Sequence, residues 1–303
     1  MKTAQQVEVA GKTIALSRLE KILWPQPGYT KADLIFYYHT VAPFILPHLQ
    51  DRPLVFTRYP DGIEGKYFYQ KNAPEYTPAW FRSYLWKSPE GSENRLLMVE
   101  DAAGLVWCAN QACIEIHPWI SRIQSIECPD YIVFDLDPSP GSKFQDVVNV
   151  ALQLKNMLAD LGLRSYPKTS GAMGLHIYLP VEARYPYKTL REFARVIAEA
   201  ICSLLPEIAT VERAVSCRGN KIYVDYLQNV MGKTICAPYS IRPRPDAPVS
   251  TPLEWKEVKD VQPDRSTIKT ILERLQNKGD LFAAVLDDRQ SLDRWIKVKS
   301  PLL

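Results

Sequence analysis

The chain has 303 residues, of which 46% are hydrophobic and 23% are charged, values that allow one large core or two smaller ones. The formal net charge of +3 does not identify a polyanionic partner, because local clustering of charge decides binding. The 6 cysteines form no Cys-x-x-Cys pair, and no stretch approaches the roughly 20 apolar residues of a membrane span. We therefore expect a reducing, cytoplasmic protein without a membrane partner or a disulfide framework.

A zinc site is one interpretation of the cysteine-rich region. Cys108, Cys113, His117 and Cys128 lie close together in the sequence, but their spacings match no common zinc finger. Buried thiols in a core are the alternative, and we expect no zinc.

The first half of the chain is predicted to combine short strands with two helices. A hairpin is expected over 7–16. Thr30 can cap a helix over 31–49, with Asp33 at the capping-box position. The second helix is predicted over 101–111. Strands are predicted at 54–58, 66–70, 79–86, 96–99 and 113–117.

The second half is predicted to begin with an apolar strand at 131–137. Ser142 with Gln145 predicts a capping box for the helix that follows over 143–161. Further helices are predicted over 188–205, 266–278 and 292–296. Further strands are predicted at 164–168, 175–179 and 222–226.

Three aspartates at the ends of apolar strands are candidate metal ligands. Side chains alternate along a strand, so Asp135 and Asp137 share a side, with Cα atoms roughly 6 to 7 Å apart. Asp225 shares a face with Tyr223 near the end of its own strand. Crowded carboxylates are unfavourable unless cations neutralise them, and paired cations serve two-metal phosphoryl transfer. Taken alone, an Asp-x-Asp pair is more often a cap or a turn device.

Two further segments could hold phosphate. Residues 169–174 form a glycine-containing turn, where backbone N–H groups and the Ser170 hydroxyl could line a phosphate, and His176 faces the polar side of the strand that follows. Arg242 and Arg244 lie on a proline-stiffened segment suited to bidentate phosphate contacts. The alternatives are a structural histidine and a solvated basic loop.

A dispersed basic set lies beside aromatic residues in the N-terminal part of the chain. Its members are Lys21, Lys31, Arg52, Arg58, Lys66 and Lys71, together with the aromatic residues Tyr67, Phe68 and Tyr69. Aromatic stacking beside phosphate-binding cations is typical of nucleic-acid grooves. Exposed lysines and buried tyrosines are also common in proteins that bind no nucleic acid.

Taken in order, these motifs resemble one family. Asp135-Leu136-Asp137, the 170–176 hairpin, Tyr223-Val224-Asp225-Tyr226 and the run over 237–255 together resemble the polymerase domain of bacterial ligase D. That domain is the primase-polymerase of non-homologous end joining, in the archaeo-eukaryotic primase superfamily. The likeness implies an α/β fold in which a catalytic palm of mixed or antiparallel sheets is flanked by helices. It also implies a single domain over 1–303, with a soft division into 1–128 and 129–303.

The resemblance implies metal-binding and nucleotide-binding roles. Asp135, Asp137 and Asp225 would be catalytic and would bind two divalent cations, with Mn²⁺ favoured and Mg²⁺ as the second candidate. The nucleotide-binding set would be His117 near the sugar, Ser170, His176 and Arg242 at the triphosphate, and in addition Lys233 and Arg244.

Two pairs of residues match DNA-binding positions of the family. Lys21 and Lys31 match a pocket for the 5′-phosphate of a downstream strand, and Phe68 with Tyr69 matches an aromatic pair packed against template bases. The implied partners are gapped or broken DNA, ribo- and deoxyribonucleoside triphosphates, Ku and a DNA ligase, at a nucleoid-associated location in the cytoplasm.

The implied activity is template-directed addition of nucleotides, ribonucleotides above all, to primer 3′-ends at gaps and double-strand breaks. Two alternatives stay open, namely a two-metal nuclease and a non-catalytic module that binds DNA ends. No ligase nucleotidyl-lysine motif or phosphoesterase segment is recognised, so we expect either a stand-alone polymerase or an excised domain.

Two departures from the family pattern concern cationic contacts. Met173 stands where the hairpin commonly has a lysine, and Met231 stands where a basic residue is usual. Lys168 or Lys233 could supply the missing charge, and we expect altered nucleotide affinity rather than lost activity.

Overall fold

The computed structural model describes residues 5–88 and 91–296, and the chain forms two compact units. Unit 1 contains the residues up to Trp119, with Cys236–Ser250 and Ser266–Asn277. Unit 2 contains Ile120–Ile235, Thr251–Arg265 and the residues from Lys278 onward. The single domain over 1–303 and its division into 1–128 and 129–303 stay predictions.

Unit 1 is built on a sheet in the order β6-β5-β8-β7, with β9 paired to β5. Its strands are β1 (Gln5–Val9), β2 (Lys12–Leu16), β3 (Ile22–Trp24), β4 (Tyr29–Thr30), β5 (Leu54–Arg58), β6 (Phe68–Gln70), β7 (Ser83–Lys87), β8 (Glu93–Leu97) and β9 (Cys113–Pro118). Its first helices are α1 (Lys31–Leu49) and α2 (Ala102–Asn110). One apolar core joins the two helices to the sheet and to the segment after Cys236.

The predicted capping box of α1 is confirmed. The Asp33 amide donates to Thr30 Oγ1 at 3.3 Å, and the Thr30 amide donates to Asp33 Oδ2 at 2.7 Å. Two of the amide groups at the helix start are thereby satisfied. The helix buries the neighbouring Tyr37 and Tyr38 in the core of unit 1.

Unit 2 is organised around a sheet in the order β11-β12-β10-β14-β13. Its strands are β10 (Tyr131–Pro138), β11 (Tyr166–Thr169), β12 (Leu175–Pro180), β13 (Ala209–Thr210) and β14 (Ile222–Asp225). All neighbouring pairs are antiparallel except β13 with β14. Helices α3 (Phe144–Asp160) and α4 (Tyr187–Leu204) contribute to the core that lies under its apolar face. Helix α5 (Ile271–Lys278) buries Ile271 and Leu275 in the core of unit 1, and α6 (Ala283–Asp287) and α7 (Asp293–Ile296) follow in unit 2.

The α/β fold with antiparallel and mixed sheets flanked by helices confirms the predicted fold class. Within residues 5–88 and 91–296, no helix is both long enough and apolar enough to cross a bilayer.

The predicted capping box of Ser142 and Gln145 is wrong. The Ser142 hydroxyl donates to the Ser139 carbonyl at 2.7 Å within the turn that follows β10. Helix α3 begins one residue later than predicted, so Lys143 is the N-cap residue and its amide donates to the Asp146 carboxylate at 3.4 Å. The Ser142 hydroxyl therefore bonds within the turn and does not cap the helix. Serine side chains commonly form such local hydrogen bonds with nearby backbone groups.

Several strand boundaries also differ from the predictions. Strand β8 begins at Glu93, three residues before the predicted 96–99 segment, and β7 covers only the second half of the predicted 79–86 segment. The sequence did not predict strands β3, β4 and β13. Each is only two or three residues long, too short to show an alternation of apolar and polar residues.

Candidate active site

Strand β10 and its neighbour β14 place three aspartates on one face of the unit 2 sheet. In the antiparallel register, Asp135 lies directly opposite His176 of β12 and Asp225 of β14, and Asp137 lies opposite Tyr223. Directly opposite residues project to the same face, with Cα atoms about 4.5 to 5.5 Å apart. The sheet therefore brings the three predicted aspartates and His176 together.

Asp135 is the buried member of this group. Its side chain is 11% exposed, and Oδ1 lies 3.4 Å from Nε2 of His176, which is 4% exposed. The residues that alternate with it on β10, Phe134 and Leu136, are buried in the core of unit 2 on the opposite face. Because the core fixes these apolar neighbours, it also fixes where the Asp135 carboxylate points.

Asp225 is held by several donors from its own neighbourhood. The Leu227 amide donates to Oδ1 at 2.7 Å, the Tyr223 hydroxyl donates to the same oxygen at 3.1 Å, and Gln228 Nε2 donates to Oδ2 at 3.2 Å. These bonds orient the carboxylate in advance of any ligand. Burial and the negative charge of Asp225 raise the pKa of Tyr223, which keeps its phenol protonated as a donor.

A pocket of about 340 Å³ opens beside the exposed Asp137 and the half-buried Asp225. The cations that line it are Arg213, Arg218 and Lys233. The guanidinium carbon of Arg218 lies 3.9 Å from the centre of the Tyr223 ring, and its Nε and Nη2 donate to backbone carbonyls. A pocket lined by both carboxylates and guanidinium and ammonium groups has the chemistry to bind a cation and a polyphosphate together.

The aspartates are suitable ligands for a divalent cation, although their side chains are not already arranged around a common metal position. Among the residues that the structure describes, no group of three or more histidine, cysteine, aspartate or glutamate side chains is arranged to hold a metal ion. Carboxylate oxygens are nevertheless the ligands that Mg²⁺ and Mn²⁺ prefer. The register places Asp135 and Asp225 directly across from one another, on the face of the sheet that Asp137 shares.

The 169–174 hairpin lies against the strand that carries the acids. Ser170 is buried, and its hydroxyl oxygen accepts the Ala172 and Gly174 amides at 3.1 Å, so the serine shapes the turn itself. A Cβ atom on Gly174 would lie 2.2 Å from the carbonyl oxygen of Leu136, between the two acids of β10. The glycine is therefore required by this close approach.

The structure separates the two candidate replacements for the missing hairpin lysine. Met173 is 49% exposed, whereas Lys168 is fully buried with its ammonium 5.8 Å from the centre of the Tyr178 ring. Lys233 is exposed at the pocket of Asp137. Met231 packs against a small apolar cluster of unit 2. Of the two lysines, Lys233 is the one placed to meet a ligand of this pocket.

Two predicted nucleotide contacts of unit 1 meet at one buried carboxylate. Glu115 Oε1 forms an ion pair with Arg242, 2.8 Å from its Nε, and Glu115 Oε2 lies 3.6 Å from Nε2 of His117. His117 Nε2 also lies 3.3 Å from the Thr57 hydroxyl. Arg244, two residues after Arg242, is exposed.

A tyrosine pair on α1 fixes the backbone that carries Arg242. The Tyr37 hydroxyl donates to the Tyr239 carbonyl at 2.7 Å, and the Tyr38 hydroxyl donates to the Ile114 carbonyl at 2.6 Å and accepts the Ile241 amide at 3.2 Å. Tyr239 has a φ of 65°, a left-handed conformation that is costly for a large side chain. The two phenols thus hold a strained segment that leads directly to Arg242.

The predicted 5′-phosphate residues line a basic pocket of about 390 Å³ in unit 1. Arg18, Lys21, Lys31 and Arg58 supply its cations. Lys21 pairs with Asp61 at 2.7 Å, while Lys31 is buried and donates to the Asn110 carbonyl at 3.1 Å. Burial, followed by the charges of Arg18 and Lys21, lowers the pKa of Lys31 to about 8. The site has the charge and the size for a phosphate group.

The predicted template-contacting pair is on the surface strand β6. Phe68 is 45% exposed and Tyr69 is 54% exposed. The Arg58 guanidinium lies 5.2 Å from the centre of the Phe68 ring, and the Tyr69 ring lies 5.7 Å from the His117 ring. Exposed rings beside cations form a stacking surface for bases.

Sequence reasoning missed Glu115, Thr57, Arg213 and Arg218. Glu115 did carry a signal, because it is an acid inside an otherwise apolar strand and shares a face with His117 by alternation. Thr57 lies opposite Glu115 only through the β5–β9 register. Nothing local distinguishes Arg213 and Arg218 from other loop arginines.

Comparison with known proteins identifies one family. Residues 30–282 match the model of the LigD primase-polymerase domain. The chain is 37% identical over 271 residues to the bifunctional non-homologous end joining protein LigD of Bacillus subtilis, covering 89% of this chain and 43% of that protein. It is 30% identical over 289 residues to the multifunctional LigD of Mycolicibacterium smegmatis, covering 95% of this chain and 38% of that protein. The chain thus spans less than half the length of these relatives.

A solved structure shows the same fold. The polymerase domain of Mycobacterium tuberculosis ligase D, in complex with DNA, superposes with a TM-score of 0.85 at 31% sequence identity. The match covers 91% of this chain and 99% of that one.

Proposed function

Because the chain belongs to the LigD primase-polymerase family, whose members are nucleotidyltransferase polymerases, we propose that it adds nucleotides to primer 3′-ends under the direction of a template. The observation that carries the proposal is the register of β10, which places Asp135, Asp225 and His176 side by side and Asp137 on the same face. This is the donor chemistry that metal-assisted phosphoryl transfer requires.

Asp135, Asp137 and Asp225 would hold two divalent cations, with Mn²⁺ favoured over Mg²⁺. Bound there, the cations would neutralise charge on the triphosphate and help to activate the primer 3′-hydroxyl. The protein itself contributes orientation, since the Leu227 amide and the Tyr223 hydroxyl fix the Asp225 carboxylate before substrate arrives.

Each unit, taken by itself, carries candidate nucleotide contacts. In unit 2, Lys233 and the stacked Arg218 would attract the triphosphate, and His176 would support Asp135. In unit 1, Arg242 would contact phosphate and His117 the sugar, as the family resemblance implies. Ser170 would act by shaping its hairpin, and Arg244 is a further candidate for phosphate.

The DNA contacts are proposed in unit 1. Lys21 and Lys31 would bind the 5′-phosphate of a downstream strand, and Phe68 with Tyr69 would stack on template bases. The substrate would be gapped or broken DNA in non-homologous end joining, with ribonucleotides preferred. Ku and a DNA ligase are the expected partners, at a nucleoid-associated location.

A single product assay tests the reaction type. A labelled primer on gapped DNA with a 5′-phosphate is incubated with Mn²⁺ and ribonucleotides. Extension of the primer supports the proposal, whereas shortening would reveal a nuclease. A mobility shift without either change would reveal a module that only binds DNA ends through Lys21 and Lys31. Repeating the assay with deoxyribonucleotides measures the sugar preference.

A further inference from the structure

Glu115 occupies an unusual position for an acid. It lies in the interior of β9, whose residues are all buried, and is itself only 6% exposed. A carboxylate buried this far is costly unless it is paired and hydrogen-bonded. Its two oxygens face different groups, Arg242 on one side and His117 on the other.

The surroundings keep this acid ionised. Burial disfavours the charged form, but the neighbouring His117 ring and the positive charge of Arg242 outweigh it, so the pKa of Glu115 lies below its usual value. Thr57 adds a hydrogen bond that favours the charged form. The carboxylate is therefore ionised at neutral pH and lies between two candidate substrate contacts.

The strand geometry explains the pairing on the His117 side. Glu115 and His117 are two residues apart on β9 and share a face, and Thr57 lies directly opposite Glu115 on β5. Nε2 of His117 thus faces a hydroxyl at 3.3 Å and a carboxylate at 3.6 Å. A ring nitrogen that faces an anionic acceptor is the one that carries the proton.

We propose that Glu115 is a positioning residue that holds His117 as the Nε2–H tautomer and holds the Arg242 guanidinium by an ion pair, so that the sugar and phosphate contacts of the nucleotide are set together. The proposal rests on the proposed function for the identity of the ligand. In neutral His117, Nδ1 is then the acceptor available to a sugar hydroxyl. The tautomer of His117 is a property of the protein without substrate, so it can be measured whether or not the protein turns over nucleotide.

The first test reads the tautomer. Nitrogen-15 NMR of wild-type protein, recorded above the histidine titration, is expected to show His117 protonated at Nε2. In Glu115→Gln the amide can donate to Nε2, and the proton is expected to move to Nδ1. Assignment uses His117→Gln as the blank. A wild-type proton on Nδ1, or an unchanged tautomer in Glu115→Gln, overturns the proposal.

The second test separates binding from turnover. Glu115→Gln is expected to raise the apparent nucleotide KM by about tenfold, because a buried charge-assisted pair is lost, while kcat falls by less than about threefold. Glu93→Gln, an exposed glutamate of the same unit, is the matched control and leaves both values unchanged. If Glu115→Gln folds poorly, Thr57→Val is a less disruptive variant. It removes the Thr57 hydroxyl beside His117 Nε2 and leaves the Glu115 carboxylate in place. An unchanged KM in folded Glu115→Gln overturns the proposal.

The two tests separate this inference from the proposed function. If wild-type protein neither extends primers nor binds nucleotide, the proposed function fails, and the NMR test still decides the role of Glu115. If wild-type protein extends primers but Glu115→Gln changes neither the His117 tautomer nor the nucleotide KM, only the inference about Glu115 fails.

Discussion

The surroundings of Lys31 in the basic pocket lower its pKa, so its charge changes within an accessible pH range. Burial is the main reason that its pKa is about 8, with the charges of Arg18 and Lys21 next. The ammonium is therefore charged at pH 7 and largely neutral at pH 9. Because a bound phosphate favours the charged form, phosphate binding takes up a proton as the pH rises through this range.

The preference for DNA with a 5′-phosphate over DNA with a 5′-hydroxyl is expected to fall about tenfold between pH 7 and pH 9, as the charged fraction of Lys31 falls. Fluorescence anisotropy on matched gapped duplexes measures it. Lys31→Met should remove both the preference and its pH dependence, whereas Lys87→Met, at an exposed strand end, should keep both. A preference that is constant with pH in the wild type would refute the role of Lys31.

Met173 tests the departure from the family at the hairpin. Its side chain is 49% exposed, so a lysine there can extend into solvent without displacing neighbours. Met173→Lys is expected to lower the apparent nucleotide KM about threefold or more through one added contact with phosphate. Met173→Gln is the neutral control. Saturation kinetics without any gain for the lysine would show that this position does not meet the triphosphate.

At the scale of elements, the hairpin and β10 are locked together by Gly174. The Cβ of an alanine there would lie 2.2 Å from the Leu136 carbonyl oxygen, which is backbone and cannot move without moving Asp135 and Asp137. Gly174→Ala is expected to cost roughly 1 to 3 kcal/mol of unfolding free energy and to lower the insertion rate more than tenfold. Denaturant unfolding and single-turnover kinetics measure the two effects.

Gly162→Ala is the matched control for this glycine. It lies at the end of α3 with nothing within 4 Å of its Cβ position and a φ of 77°. The change should cost about 1 kcal/mol through backbone strain yet leave the insertion rate unchanged. Equal loss of insertion in both variants would mean that stability, and not the approach to β10, explains the effect.

Local patterns predicted the elements better than their partners. Alternation in 131–137 and 222–226 correctly put Asp135 with Asp137 and Asp225 with Tyr223, because those relations follow from the pleat of one strand. The pairing of Asp135 with both His176 and Asp225 depends on a sheet order that no single strand encodes. Ser142 failed as a cap because a neighbouring carbonyl competed for its hydroxyl.

At the scale of the whole molecule, the sequence alone could not reveal which distant segments complete each unit. The 236–250 segment returns to unit 1. There the Tyr38 hydroxyl binds the backbone of the segment, and Glu115 pairs with the side chain of Arg242. Contacts between positions more than 100 residues apart in the chain leave no mark in local composition. Arg242 was a candidate phosphate contact both from its proline-stiffened segment and from the family resemblance, whereas only the structure supplied Glu115 as its partner.

The aspartates of β10 and β14 are the residues that we propose bind the metal ions for nucleotide addition. The most direct test of this assignment is primer extension by Asp135→Asn on gapped DNA with Mn²⁺, together with Mn²⁺ binding followed by electron paramagnetic resonance. We expect extension to fall by about a thousandfold or more, since electrostatic stabilisation is usually the largest catalytic contribution, with Mn²⁺ binding weakened and DNA affinity retained. Extension at the wild-type rate by Asp135→Asn would show that Asp135 is not a catalytic metal ligand.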